Sequence, residues 1–356
     1  MSFDEKDIRA AVAAGIVSEA QAVSVLALAQ ERQGQRAATL AREEPFEMFK
    51  GFNEIFIVVG LIVLYGGWQG IIGVDFLFSR VTGDTSGLIL SLLGLVGVTL
   101  GAWYFTLKRR MVAPSSALTL MAAISGWQVT SLLASRFGLY EEIGTTVALA
   151  LSSLVLLGWY FVFRIPFSMA LVALGVFATA LSFTVFQGAE FEDIEDLFLL
   201  SNDGPFAWIT FILGLIGFGI AMWFDMSDPH RVSQRSATGF YLHIIAAPAI
   251  VNTIALTLFE AQNSQAYSIL IAVLIILSIV AIIIDRRSFL VAGVGYTVAL
   301  AFTLADGEAA VWSIFILGAV LVLLGAQWER LRGAIMRRLP EFPGKTRLPP
   351  YATDPL

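Results

Sequence analysis

The stretch 240–252, FYLHIIAAPAIVN, places a histidine, a proline and an asparagine inside an otherwise apolar run. A histidine there can carry a proton or hold a metal, and it is one of only two in the chain. His243 and Asn252 are nine residues apart, about 13 Å along a helix, so they cannot share one small ligand. Pro248 lies between them and frees the carbonyl of Ile244, four residues back. Inside a membrane a freed carbonyl must be met by a neighbour, water or a ligand, and interrupted helices of this kind occur at transporter binding sites. Two readings stay open. One is a polar track along a kinked helix. The other is a helix whose His243 and Asn252 hydrogen-bond to neighbouring helices. The sequence nearby supplies no serine or aspartate partner for His243, so no catalytic residue is assigned.

A second constellation is an echo. GGWQG (66–70) and SGWQV (125–129) repeat Gly-Trp-Gln near the same end of the first and third apolar blocks. Trp68, Gln69, Trp127 and Gln128 could line a pocket, with Gly67 and Gly126 allowing close helix approach. They could equally be an aromatic belt with a glutamine bonded between helices. Asn53 and Glu54 stand at the rim of the first block, where a carboxylate can gate a path or simply mark the interface.

Much chemistry is excluded. There is no cysteine, which removes disulfides and thiolate metal sites, and two histidines make a poor transition-metal set. No metal site and no cofactor are expected. No GxxxxGK[ST], HExxH or GxSxG occurs, and the middle thirds of the apolar blocks carry no Asp, Glu, Lys or Arg. An ion pump, a strongly proton-coupled carrier and an enzyme are therefore disfavoured.

The elements that must position these residues are long apolar blocks. Hydrophobic residues make up 57% of the 356 and charged residues 14%, against about 25% in soluble proteins. Ten blocks reach or approach the roughly 20 residues that span a bilayer: 55–75, 87–107, 112–134, 144–163, 166–187, 205–224, 237–259, 266–284, 288–305 and 309–328. The expected fold is an all-α polytopic bundle of about ten transmembrane helices, with the lipid bilayer as its partner.

Charge placement supports this count. Of 22 basic residues, all but Arg80 and Arg136 fall on the side of the termini. Because Lys and Arg stay cytoplasmic, both termini are expected in the cytoplasm, with the chain in an inner membrane. The opposite loops are acidic. The longest, 188–203, has Asp193, Glu195 and Asp196 in an order unlike a calcium loop. Its Phe191, Ile194, Leu197 and Phe198 predict a short surface helix.

Even-numbered blocks end alike, as in LGAWYFTLKRR (100–110), LGWYFVFR (157–164), GIAMWFDMSDPHR (219–231) and AIIIDRR (281–287). This suggests a repeated two-span hairpin, although aromatic and basic residues also converge at any such interface.

Residues 1–42 predict a polar helical hairpin, with Ser2/Glu5 and Ser18/Gln21 as capping boxes and Gly15 as the first stop. The segment lacks the basic footprint of a nucleic-acid reader. Residues 43–54 predict an amphipathic juxtamembrane segment with Phe46, Phe49 and Phe52 on one face. Residues 55–328 form the bundle and 329–356 a basic, Pro-rich tail. The motif IRAAVAAGIVSEAQAVSVLALA (8–29), followed by the apolar spans, resembles the bacterial membrane proteins grouped as the DUF2157 family. That resemblance implies an inner-membrane location and no established catalytic residues.

The functional expectation is a permease or channel-like transporter for a small neutral or lipid-like solute, with a site around the seventh span. The alternative is a non-enzymatic scaffold or accessory subunit. It would bind a protein partner, or a second copy, through residues 1–42.

Overall fold

The computed structural model describes residues 11–12, 14–17, 52–82, 85–139, 141–201, 204–231, 233–304 and 308–351. Among them the regular structure is entirely helical. The main helices are α1 (Phe52–Thr82), α2 (Ser86–Ala102), α3 (Val112–Arg136), α4 (Glu141–Phe163), α5 (Phe167–Phe186) and α6 (Phe206–Ser227). After them come α7 (Gln234–Glu260), α8 (Ser264–Ile284), α9 (Ser288–Leu304), α10 (Glu308–Ala326) and α11 (Trp328–Arg338). Eight of these, α1 to α8, are long and apolar enough to cross a membrane. The last two expected spans differ. α9 has only 17 residues, about 25 Å, which falls short of a typical 30 Å hydrocarbon core. α10 breaks at Gln327 and turns by 76° into α11, so the pair counts as one bent span at most. Among the described residues, eight helices, or nine with the bent pair, are thus long and apolar enough to span, close to the expected count of about ten.

The arrangement follows from the bilayer as solvent. α3 is the least hydropathic of the eight and the most buried, while the strongly hydropathic α8 is largely exposed. Where lipid is the solvent, the more polar helix belongs inside. α3 buries Ser115, Thr119, Ser125, Gln128, Thr130 and Ser131. Most of these hydroxyls bond to carbonyls of their own helix, as Thr119 does to Ser115 at 2.8 Å. Thr130 also reaches across to the Ala148 carbonyl on α4, at 2.9 Å. Trp159 of α4 donates to the Thr119 hydroxyl at 3.2 Å, closing the α3–α4 seam.

Packing repeats every two helices along the middle of the chain. α3 packs against α1, α2, α4 and α5, α5 against α3, α4, α6 and α7, and α7 against α5, α6, α8 and α9. The likeness of the even-helix ends also has a backbone counterpart. Arg110, beyond the π-helical turn Trp103–Lys108 that extends α2, and Arg164, Arg231 and Asp285, after α4, α6 and α8, all sit in the left-handed region with φ of 52–59°. A single left-handed residue turns the chain sharply at a helix end, usually as glycine.

The hairpin expected at 1–42 lies almost wholly outside the described residues. The exception is its first stop, where Gly15 has φ +70°. There Gly15 N–H bonds to Val12 and Ile16 N–H to Ala11, the paired closure of a glycine-terminated helix. Of the 43–54 segment, only its last residues, from Phe52 on, are described, and they open α1.

The acidic 188–203 loop holds a single 3₁₀ turn, Ile194–Leu197, in place of the expected surface helix. Asp193 and Asp196 cap that turn reciprocally. Beyond it the chain is tied to α7, because Leu200 N–H donates to the Thr257 hydroxyl at 2.9 Å. These bonds close the segment after one turn.

Candidate functional site

At the end of the bundle where the basic residues gather, α6 finishes in FDMS and α8 is followed by Asp285-Arg286-Arg287. The left-handed Asp285 reverses the chain, and Arg286 reaches Asp225 near the end of α6. Arg286 Nε donates to Asp225 Oδ2 at 2.9 Å, and Nη2 donates to Oδ1, a bidentate fork. Nη2 also donates to the Ser236 carbonyl at 3.1 Å. His243 Nε2 lies 2.9 Å from Asp225 Oδ2. All three side chains are sealed: His243 is 0% exposed, Arg286 1% and Asp225 4%. The imidazole sits between Phe218 and Phe289, with ring centres 5.6 and 6.0 Å away. The guanidinium stands 5.8 Å from the Phe240 ring centre.

A second layer backs the first. Arg231 pairs with Asp285 Oδ2 at 3.0 Å and donates to its carbonyl at 2.7 Å. Trp328, at the head of α11, donates to Asp285 Oδ1 at 2.6 Å. Arg332 on α11 then clamps the carbonyls of Pro349 and Pro350 at 2.6 and 2.8 Å. The basic tail is thus folded against the ends of α6 and α8. Gly344 lies so close to Met226 that a Cβ there would meet the methionine Cε at 2.9 Å.

The cluster can do little acid–base chemistry. Asp225 is occupied by Arg286 and His243, and the imidazole is excluded from solvent. Ion pairs that tie three helices together are the arrangement's evident role. The sequence reading gave His243 no partner, and that is corrected here. Its partner, Asp225, lies 18 residues earlier, on the adjacent helix. The available signal was the matched FDMSDPHR and IDRR ends, each with an acid in the closing turn of an apolar helix. It was assigned to interface anchoring instead.

The remaining candidates are dispersed. Pro248 and Asn252 are half-buried further along α7. Gln69 and Gln128 do meet: Gln128 Nε2 donates to Gln69 Oε1 at 2.6 Å, and Gln69 Nε2 returns a bond at 3.3 Å. This closed amide pair joins α1 to α3. Their tryptophans part company. Trp127 packs on Phe76 at 5.6 Å, whereas Trp68 fills the space beside Gly94 on α2. Asn53 is exposed, and Glu54 is buried and accepts the Ala113 N–H at 3.4 Å in the first turn of α3. An anion there complements the positive end of that helix. Among the described residues no group of three or more His, Asp or Glu could hold a metal ion.

The glutamine pair gives a first prediction. Gln69→Leu or Gln128→Leu alone leaves one amide unpaired in the bundle, at a cost of about 1 kcal/mol. The double leucine variant is expected to recover most of it. Thermal unfolding of the purified single and double variants measures this, and additive losses would show that the pair contributes no coupling.

Two apolar cavities lie elsewhere. A groove of about 490 Å³ opens between α8, α9 and α10, within the range that holds small organic ligands. Its walls are mostly apolar, with Ile275, Phe289, Leu300 and Val320, and carry the hydroxyls of Ser278, Thr297 and Ser313. It exists because α10 stands off from the bundle: none of its residues 311–326 is buried. A second apolar groove of about 440 Å³ runs between α1, α2 and α3, past Tyr65 and Trp68.

No family model, no curated protein and no solved structure matches the chain. The DUF2157-like layout stays a resemblance carried by the N-terminal motif and the run of spans.

Proposed function

We propose that this chain is an integral membrane protein that admits a lipid-like solute sideways, through the groove between α8, α9 and α10. The observation that carries this reading is the groove itself: mostly apolar, open to the side and walled by the membrane-length α8 together with the shorter α9 and the bent α10. A route for a polar solute past His243 finds no support, because the residue is locked in the Asp225–Arg286 cluster. The expected orientation places the basic end in the cytoplasm of a bacterial inner membrane, supported by the one-sided distribution of Lys and Arg. The scaffold alternative depends on residues 1–42, which lie almost entirely outside the described residues.

Transbilayer movement of a fluorescent phospholipid in proteoliposomes tests the reading. The wild type is expected to exceed protein-free vesicles. Val320→Trp, which fills the groove from its exposed wall, should cut the rate at least fivefold. Asn252→Ala should leave it unchanged. Rates equal to those of empty vesicles would remove the transport claim.

A further inference from the structure

We infer that the groove between α8, α9 and α10 selects lipids whose polar end donates hydrogen bonds, an amine or an alcohol, and that the hydroxyl oxygens of Ser278 and Thr297 accept them. This rests on the lipid-like reading above and adds the chemistry of the polar end.

Three of the residues lining the groove bear hydroxyls, and each comes from a different wall: Ser278 from α8, Thr297 from α9 and Ser313 from α10. Their heights follow from the helices. The basic-side ends of the three helices are nearly level. Only three residues join α8 to α9, and Trp328, two residues past α10, donates to Asp285, one residue past α8, at 2.6 Å. From that end Ser278 lies six residues along α8, about 9 Å. Thr297 lies nine residues along α9, about 14 Å, and Ser313 thirteen along α10, about 20 Å. A hydrocarbon core is about 30 Å thick, so the hydroxyls straddle its middle. That is where a crossing headgroup is worst served. A polar group taken from water into hydrocarbon loses its hydrogen bonds, and every donor left unmet raises the barrier.

What the groove offers there is one-sided. The Ser278 hydroxyl donates to the Leu274 carbonyl at 2.7 Å, and the Thr297 hydroxyl donates to the Gly293 carbonyl at 3.0 Å. A hydroxyl has one proton and two acceptor lone pairs, so each of these two is left as an acceptor. Among the described residues lining the groove there is no Lys, Arg, Asp or Glu. The groove therefore has no cation to hold a phosphate oxygen and no carboxylate to draw a positive charge. It answers N–H and O–H groups. A primary ammonium or a glycerol hydroxyl qualifies. A choline headgroup does not, since its quaternary nitrogen carries no hydrogen.

The probes are acyl-labelled fluorescent phosphatidylethanolamine and phosphatidylcholine with the same chains, which differ only in the headgroup amine. Their transbilayer movement is followed in proteoliposomes of the full-length protein, with the protein-free rate subtracted. Phosphatidylethanolamine is expected to cross roughly threefold faster or more, the effect of one net hydrogen bond. Ser278→Ala/Thr297→Val should bring it down to the phosphatidylcholine rate. The same variant should leave the phosphatidylcholine rate unchanged, which also shows that it is folded. If the wild type moves both lipids equally above background, the headgroup inference fails and the groove reading stands. A preference that survives in the double variant removes Ser278 and Thr297 as its source and overturns the inference. Equal slowing of both lipids by the variant overturns it too, since the hydroxyls would then act on the groove rather than on the headgroup. If neither lipid exceeds the protein-free rate, the groove reading itself fails.

Discussion

Asp225→Ala is expected to destabilise the protein more than any other single substitution in the buried cluster. The reason is an asymmetry in what each partner can do once abandoned. Without Asp225, the Arg286 guanidinium keeps only the Ser236 carbonyl among its hydrogen bonds and remains charged, because arginine does not give up its proton in proteins. Breaking a buried pair in this way costs about 3–5 kcal/mol. Arg286→Met is expected to cost less. Asp225 then keeps His243 at 2.9 Å, and a carboxyl group can take up a proton. His243→Phe should be mildest, since Asp225 retains its fork to Arg286 and the ring still fits between Phe218 and Phe289. The double variant Asp225→Ala/Arg286→Met removes both charges together and should recover a large part of the loss. Thermal unfolding in detergent orders the four proteins. A double variant no better than Asp225→Ala would show that the cost is lost packing rather than an uncompensated charge.

The cluster also shows what was legible in the sequence. The spans were, because burying backbone in lipid demands long unbroken helices, and long apolar blocks announce them. The side expected for each loop rests on Lys and Arg alone. The count is approximate only at its end, and for one reason. α9 and the α10–α11 pair are set by how an apolar block ends: the block at 309–328 gave no warning that the chain bends at Gln327. The Gly-Trp-Gln echo correctly marked two helices that touch, and its glutamines do bond to each other. It could not show that Trp68 and Trp127 would point to different neighbours, since side-chain direction depends on which helix lies alongside. His243 drew notice in the sequence, but its partner was not found there. The pairing of Asp225 with Arg286 spans 61 residues and three helices, and no local period records that. The groove was equally hidden, because an apolar wall looks the same in sequence whether it meets another helix or a lipid.

Gly239→Ala is the sharpest test of how tightly that cluster is closed. Gly239 lies on α7 where it crosses α6, and a Cβ built there would run into Asp225 Oδ1 and come within 3.1 Å of the Ala221 carbonyl oxygen. A side-chain oxygen could ordinarily move aside. This one is held by Arg286 on the same carboxylate whose other oxygen meets His243, and the second obstacle is backbone. The methyl group must therefore push the helices apart or break the fork, and overpacking alone costs about 1–3 kcal/mol. Gly217→Ala provides the control. It lies on the same α6–α7 interface, but its added Cβ would meet only the Ala246 Cβ, at 3.6 Å, an ordinary contact. Gly217→Ala is expected to be neutral or slightly stabilising, because alanine costs less than glycine within a helix. Combining Gly239→Ala with Asp225→Ala should cost less than the sum of the two, since the clash disappears with the carboxylate. Strict additivity would mean that the Ala221 carbonyl, not the ion pair, forbids the side chain at position 239.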